Sequence, residues 1–391
     1  MRKNIIILTV LAILLVPLAA CSAVGGAVTH TPAATARPTP EPTPTPDPVR
    51  TRAEELLSGM NREEKLCQLL IVRPETLTGS AQVLETDASF VAALGTYPVG
   101  GLIYSQINLQ SVEQATAMID AAQKASGLNM FISVDEEGGS VARLMRVLGT
   151  TKFNSMYSYK DQGTDVAYSN AYTIGSDVLS CHFNTDFAPV ADVRSNPENS
   201  VIGSRAYSDD FQQAAELVAA AVRGFRDSGV ICSLKHFPGH GDTAEDSHLG
   251  PAVNYKTLEE LRQQEFLPFV SGMEAGADMV MVGHISVPAV DDVPASVSYK
   301  LVTGILRDEL GWDGVVVTDG LDMGALSGYT EGQKAVACLS AGCDILLGIA
   351  DIPAALEGLN AALDDGTLSM ARIDESVMRV LMLKLEHGII A

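Results

Sequence analysis

From residue 48 onward, eight short apolar runs recur along the chain, near Leu69–Val72, Gly100–Tyr104, Met130–Asp135, Thr185–Val193, Ile231–Lys235, Met279–His284, Gly314–Asp319 and Ile345–Leu347. Each is nearly continuous in Val, Ile, Leu and Ala instead of alternating with polar residues, the pattern of strands buried on both faces. Helical stretches with readable start and stop signals separate most of them. Ser111 with Gln114 resembles a capping box, and Gly127 stops that helix. Asp209 with Gln212 opens another, which ends at Gly229, and Thr257 with Glu260 opens a third. Residues 301–310 end at Gly311, and residues 331–341 end at Gly342. Eight strand–helix repeats predict an α/β fold of the (β/α)8 TIM-barrel type, with a doubly wound open sheet as the alternative. The connection between the third and fourth runs, roughly residues 136–184, is long, so a somewhat irregular barrel is expected.

The N-terminal residues follow a different pattern. Met1-Arg2-Lys3 precedes an apolar run from Ile5 to Ala20, short for a spanning helix, which needs about 20 apolar residues. Residues 1–20 therefore read as a signal peptide. Its end, Leu18-Ala19-Ala20-Cys21, resembles a bacterial lipobox in which Cys21 becomes the lipidated first residue. An uncleaved anchor helix with an incidental Cys is the alternative. Residues 21–48 read as a Pro/Thr-rich tether, with Pro32, Pro38, Pro40, Pro42, Pro44, Pro46 and Pro48 holding an extended, polyproline-like chain. The folded body, residues 49–391, is then expected outside the cytoplasmic membrane, in contact with it only through a lipid anchor.

That body is large enough for one barrel. The chain carries 26 basic against 48 acidic residues, a net charge of -22. Nucleic acid and an anionic membrane surface both require a cationic footprint, so neither is expected as a partner. Five cysteines remain after Cys21: Cys67, Cys181, Cys232, Cys338 and Cys343. An odd number without a CxxC pair reads as buried small hydrophobes, with a Cys338–Cys343 bridge as the alternative.

In such a barrel, chemistry belongs at the C-terminal ends of the strands. Asp135 and Glu136 end the third run, Asp192 the fourth, Lys235-His236 the fifth, His284 the sixth and Asp319 the seventh. Residues 235–248 read Lys-His-Phe-Pro-Gly-His-Gly-Asp-Thr-Ala-Glu-Asp-Ser-His. Pro238, Gly239 and Gly241 forbid a regular helix, so this is a loop leaving a buried strand. Asp246 and His248, two residues apart, suit a carboxylate that orients an imidazole and favours its protonated form. A metal site from His236, His240, Asp242 and His248 is the rival; the residue types suit zinc, but no usual zinc spacing matches.

The same segment resembles the signature of glycoside hydrolase family 3, in its β-N-acetylhexosaminidase branch. Further matches follow in order: Asp135-Glu136-Glu137-Gly138-Gly139 with Val141 and Arg143-Leu144, then Phe187 to Val193, Ile202 to Tyr207 with Tyr207 in place of a Phe, and Val317 to Met323. Ser140 stands where the family commonly has a basic residue. The resemblance covers about residues 50 to 390. It implies a single-domain, retaining, exo-acting β-N-acetylhexosaminidase releasing N-acetylglucosamine from peptidoglycan- or chitin-derived saccharides. Asp319 would be the nucleophile, ranked ahead of Asp322, with Lys235 a candidate for keeping it charged. His248, paired with Asp246, would be the general acid and then the base. Asp135, Arg143, Arg205, Lys235 and His236 would contact the sugar, and His284 would orient its neighbours. No cofactor or metal is expected, and the body is expected to be a monomer. A β-glucosidase of the same family and a non-catalytic saccharide-binding lipoprotein are the alternatives.

Overall fold

The computed structural model of the chain describes residues 47–243 and 252–391. Eight parallel strands form the centre: β1 (Leu70–Val72), β2 (Gly101–Ile103), β3 (Phe131–Val134), β4 (Thr185–Asp186), β5 (Ile231–Phe237), β6 (Met279–Val282), β7 (Val315–Thr318) and β8 (Leu346–Leu347). Their order in space is their order in the chain, with β1 pairing both β2 and β8. A bridge between Val317 and Ile345 joins the β7 and β8 segments and completes the ring. This is the (β/α)8 barrel the apolar runs predict. Strand residues such as Leu70, Ile132, Leu234, Val280 and Val316 are buried because helices cover the outer face and side chains fill the inside.

Helix boundaries follow local chemistry. Ser111 caps Val112–Ala125 by accepting from the Gln114 N–H. Thr257 with Glu260, and Thr330 with Gln333, form full capping boxes. Gly229 and Gly342 end their helices at positive φ. Three details differ from the sequence reading. The helix Phe211–Ser228 is capped by Asp210, not Asp209; Asp209 instead accepts from Tyr157 and Lys160. Residues Lys300–Glu309 wind with a wider π-type turn, Leu310 N–H reaching the Ile305 carbonyl. Pro48, read as the end of the tether, is the first residue of the helix Pro48–Gly59, capped by Asp47.

The fourth strand is the main irregularity. A continuous strand over Thr185–Val193 is expected, but the ladder covers only Thr185–Asp186, with one bridge from Val190 to Lys235. Pro189 has no N–H to donate to a ladder. The long third connection holds a hairpin of Glu136–Gly138 with Val141–Ala142, and the helix Thr164–Ser180. Gly138 and Gly139 turn this hairpin at φ 83° and 63°, and a Cβ at Gly139 would meet Ser155 at 2.5 Å. Cys67, Cys181, Cys232, Cys338 and Cys343 are all buried free thiols, so the Cys338–Cys343 bridge is not formed. Among the described residues no helix is long and apolar enough to cross a membrane. Cys21 and the apolar run before it lie outside the described residues.

Candidate functional site

The strand ends surround a cavity of about 360 Å³. Asp135, Arg143, Arg205, Lys235, His236 and Asp319 all line it, from elements far apart in sequence. Asp246 and His248 lie outside the described residues.

One wall is a row of alternating charge. Lys235 Nζ lies 2.8 Å from Asp135 Oδ1 and 2.6 Å from Glu137 Oε1. Arg205 grips Glu137 through two parallel bonds, Nε to Oε2 and Nη2 to Oε1, each 2.8 Å. Arg143 stands at the other end, 4.0 Å from Asp135. Burial works against the charges of Glu137 and Lys235. Even so, Arg205 and Lys235 hold the Glu137 carboxyl far below the ordinary range, and Asp135 and Glu137 hold the Lys235 ammonium above its own. The hairpin sorts two adjacent glutamates. Glu137 faces this wall, whereas Glu136 turns away and accepts the backbone N–H groups of Arg143, Leu144 and Met145. Glu136, read as a polar strand end, is thus a helix cap.

A second cluster centres on Asp192. Its Oδ2 meets His236 Nδ1 at 2.6 Å and the His236 N–H at 3.1 Å, while Oδ1 accepts the His240 N–H at 2.6 Å. Burial alone would raise this carboxyl, but the two histidines and the His240 N–H lower it. A single carboxylate therefore sets the ring of His236 and the backbone of the loop that begins after it. That loop is held tightly on its described side. Asn199 Nδ2 donates to the carbonyls of His240 (2.8 Å) and Thr243 (2.9 Å). A Cβ at Gly241 would sit 1.6 Å from the Val193 carbonyl, so only glycine permits this approach. Asp192→Asn keeps the shape but removes the charge behind the His236 ring. Losing a charge-assisted bond worth about 1.5–3 kcal/mol should lower kcat/KM by on the order of 10- to 100-fold. Steady-state kinetics on the folded variant, with a value within about threefold of wild type, would remove this role for Asp192.

Asp319 lies at the C-terminal end of β7, half-buried at the cavity. Its Oδ1 accepts the Gly320 N–H at 2.8 Å, and its own N–H donates to the Val282 carbonyl of β6. Burial would raise its carboxyl, yet His236, His284, the Gly320 N–H and, last, Lys235 bring it below the ordinary value. Lys235 thus contributes to keeping Asp319 charged, as expected, but least: its ammonium is bonded to Asp135 and Glu137, and the two histidines lead. His284 Nε2 donates to the Gly320 carbonyl at 3.0 Å and its Nδ1 bonds Ser296 Oγ at 2.7 Å, which fixes the turn that carries Asp319. Asp322 is exposed and paired with exposed Arg73 at 3.0 Å, a rim contact and not a buried nucleophile site.

The sequence reading placed Glu137 in a motif, and Asp192 and His240 at strand ends or in a rival metal set, without assigning them to the site. Arg73 was missed altogether. Its signal was the same as for Asp319, a charged residue directly after an apolar run, but nothing beside it in sequence marked it. Among the described residues no group of three or more His, Cys, Asp or Glu is placed to hold a metal ion.

Comparison with known proteins adds independent findings. Residues 62–383 match the model described as "Glycosyl hydrolase family 3 N terminal domain". A β-hexosaminidase A of Pseudoalteromonas piscicida is 36% identical over 327 residues, covering 74% of this chain and 54% of that protein. A β-hexosaminidase of Stenotrophomonas maltophilia is 36% identical over 257 residues, covering 64% of this chain and 76% of its own length. Among solved structures, a glycoside hydrolase family 3 β-N-acetylglucosaminidase from a Paenibacillus species superposes with a TM-score of 0.79 at 37% identity, over 85% of this chain and 64% of that one. The match thus spans about half of the Pseudoalteromonas protein and under two thirds of the Paenibacillus one.

Proposed function

Since the chain belongs to glycosyl hydrolase family 3, we propose that it is a retaining exo-β-N-acetylglucosaminidase. It releases terminal N-acetylglucosamine from peptidoglycan- or chitin-derived saccharides. The observation that carries this reading is Asp319: a carboxylate held below the ordinary range at the end of β7, in a cavity also lined by a row of fixed charges suited to sugar hydroxyls.

The chemistry follows in two displacements. The Asp319 carboxylate attacks the anomeric carbon while the imidazolium of His248, oriented by Asp246, gives its proton to the departing glycosidic oxygen. The product of this step is a covalent glycosyl-enzyme. A water then loses a proton to the same imidazole and attacks the anomeric carbon from the opposite face. The Asp319 carboxylate leaves, and the sugar keeps its β configuration. Asp135, Arg143, Arg205, Lys235 and His236 hold the sugar during both steps. The names of the relatives support the sugar preference, and the sequence resemblance of residues 235–248 supports the proton donor. The lipobox-like Leu18-Ala19-Ala20-Cys21 and the Pro-rich stretch after it support a body tethered by lipid outside the cytoplasmic membrane.

Folded protein should release 4-nitrophenol from 4-nitrophenyl N-acetyl-β-glucosaminide, with the β-anomer of the sugar appearing first by proton NMR. Because Asp319 is already ionised below the ordinary carboxylate range, the acid limb of kcat/KM should lie low, and activity should fall on the alkaline side as the imidazole loses its proton. No turnover of this substrate would remove the proposal. Initial release of the α-anomer would remove the covalent step.

A further inference from the structure

We propose that Glu137 is a positioning residue, one that holds Arg205 and Lys235 in their sugar-facing geometry without touching the sugar. This rests on reading the cavity as a saccharide site. The side chains of Glu137 and Lys235 are each only 3% exposed, against 13% for Arg205, 26% for Asp135 and 31% for Arg143. Both Glu137 oxygens are occupied, Oε1 by Lys235 and one Arg205 nitrogen, Oε2 by the other. Glu137 borders the cavity, but with about three of its four acceptor positions filled and its side chain almost wholly enclosed, little of it is open to a ligand hydroxyl.

Its effect must therefore pass through the two cations. Lys235 and Arg205 come from different parts of the barrel, β5 and the loop after β4, and they repel each other. Glu137 is the counter-charge the two share, besides the separate bonds of Lys235 to Asp135 and of Arg205 to the Val201 carbonyl. The fork to Arg205 fixes the plane of the guanidinium, and the bond to Lys235 fixes the ammonium between Glu137 and Asp135. The hairpin glycines hold this carboxylate in place, and its neighbour Glu136 faces the other way.

The test is a double-mutant cycle on Glu137→Gln and Arg205→Met, read with 4-nitrophenyl N-acetyl-β-glucosaminide and with N-acetylglucosamine as inhibitor. Each single variant should lower kcat/KM by about 100-fold, mainly through KM, with inhibition weakened in parallel. The double variant should lose no more than about 300-fold, because both changes break one unit; independent effects would multiply to about 10⁴-fold. A Glu137→Gln protein that melts earlier but keeps the wild-type KM overturns the proposal, as does a multiplicative double variant. Should Glu137→Gln not fold, Glu137→Asp keeps the charge but withdraws it by one methylene. It should raise KM by about tenfold, and an unchanged KM would overturn the proposal equally. A wild-type protein that hydrolyses nothing sinks the glycosidase reading. An active wild type matched in KM by the Glu137 variants sinks only this inference.

Discussion

Asp319→Ala should lower kcat on 4-nitrophenyl N-acetyl-β-glucosaminide by roughly 10⁴-fold or more, about 5.5 kcal/mol of barrel-bound chemistry lost with one carboxylate. The geometry explains the size. Among the described residues the other carboxylates near it are already engaged: Glu137 by Arg205 and Lys235, Asp135 by Lys235, and Asp192 by the two histidines. Asp322 is the one rival three residues on, and it is exposed against Arg73. Asp322→Ala should therefore cost less than about tenfold, as an exposed ion pair contributes little. Added azide distinguishes a lost nucleophile from a damaged fold. In Asp319→Ala it should enter the vacated space and yield the α-glycosyl azide, the product of a single inversion. Residual activity above about 1% in Asp319→Ala, or its abolition in Asp322→Ala, would transfer the role to Asp322.

The second large effect concerns stability. Asp344, directly before the β8 region, is fully buried and accepts from five groups. These are the Val316 N–H of β7 (2.9 Å), Arg307 (2.6 Å), Ser376 (2.6 Å), Arg379 (3.3 Å) and Arg372 (3.5 Å). Asp344→Ala leaves three guanidiniums facing one another and a backbone N–H without its acceptor. Breaking a buried charge pair from one side costs about 3–5 kcal/mol. Urea unfolding should show a loss of that order, with an m-value close to wild type. A loss below about 1 kcal/mol would mean that water or Glu375 compensates the arginines as well as the carboxylate does.

The barrel was legible because its strands are covered on both faces. Full burial demands unbroken apolar runs, and runs such as Met279–Val282 and Val315–Thr318 cannot be mistaken for amphipathic surface. The fourth strand was over-read for the same reason: Phe187, Ala188, Val190 and Ala191 are all buried, yet burial does not require a ladder, and Pro189 interrupts one. At the site, residues that face the cavity announced themselves by chemical type at strand ends, as Asp135, His236 and Asp319 did. Residues that act behind them did not. Asp192 and Glu137 are recognisable only once His236, His240, Arg205 and Lys235 are seen to converge on them from other strands. Nothing local in a sequence encodes such convergence. The Asp246–His248 pair remains a reading from sequence.

The ring closes between β7 and β8, where the Thr318 N–H donates to the Ile345 carbonyl and the Ile345 N–H to the Val316 carbonyl, each at 3.0 Å. That joint lies beside the strand whose end carries Asp319, and Asp344 clasps it from below through Val316. One strand is thus anchored near its start by Asp344 and carries the proposed nucleophile Asp319 at its end, so loosening that anchor would disturb the cavity as well as the barrel.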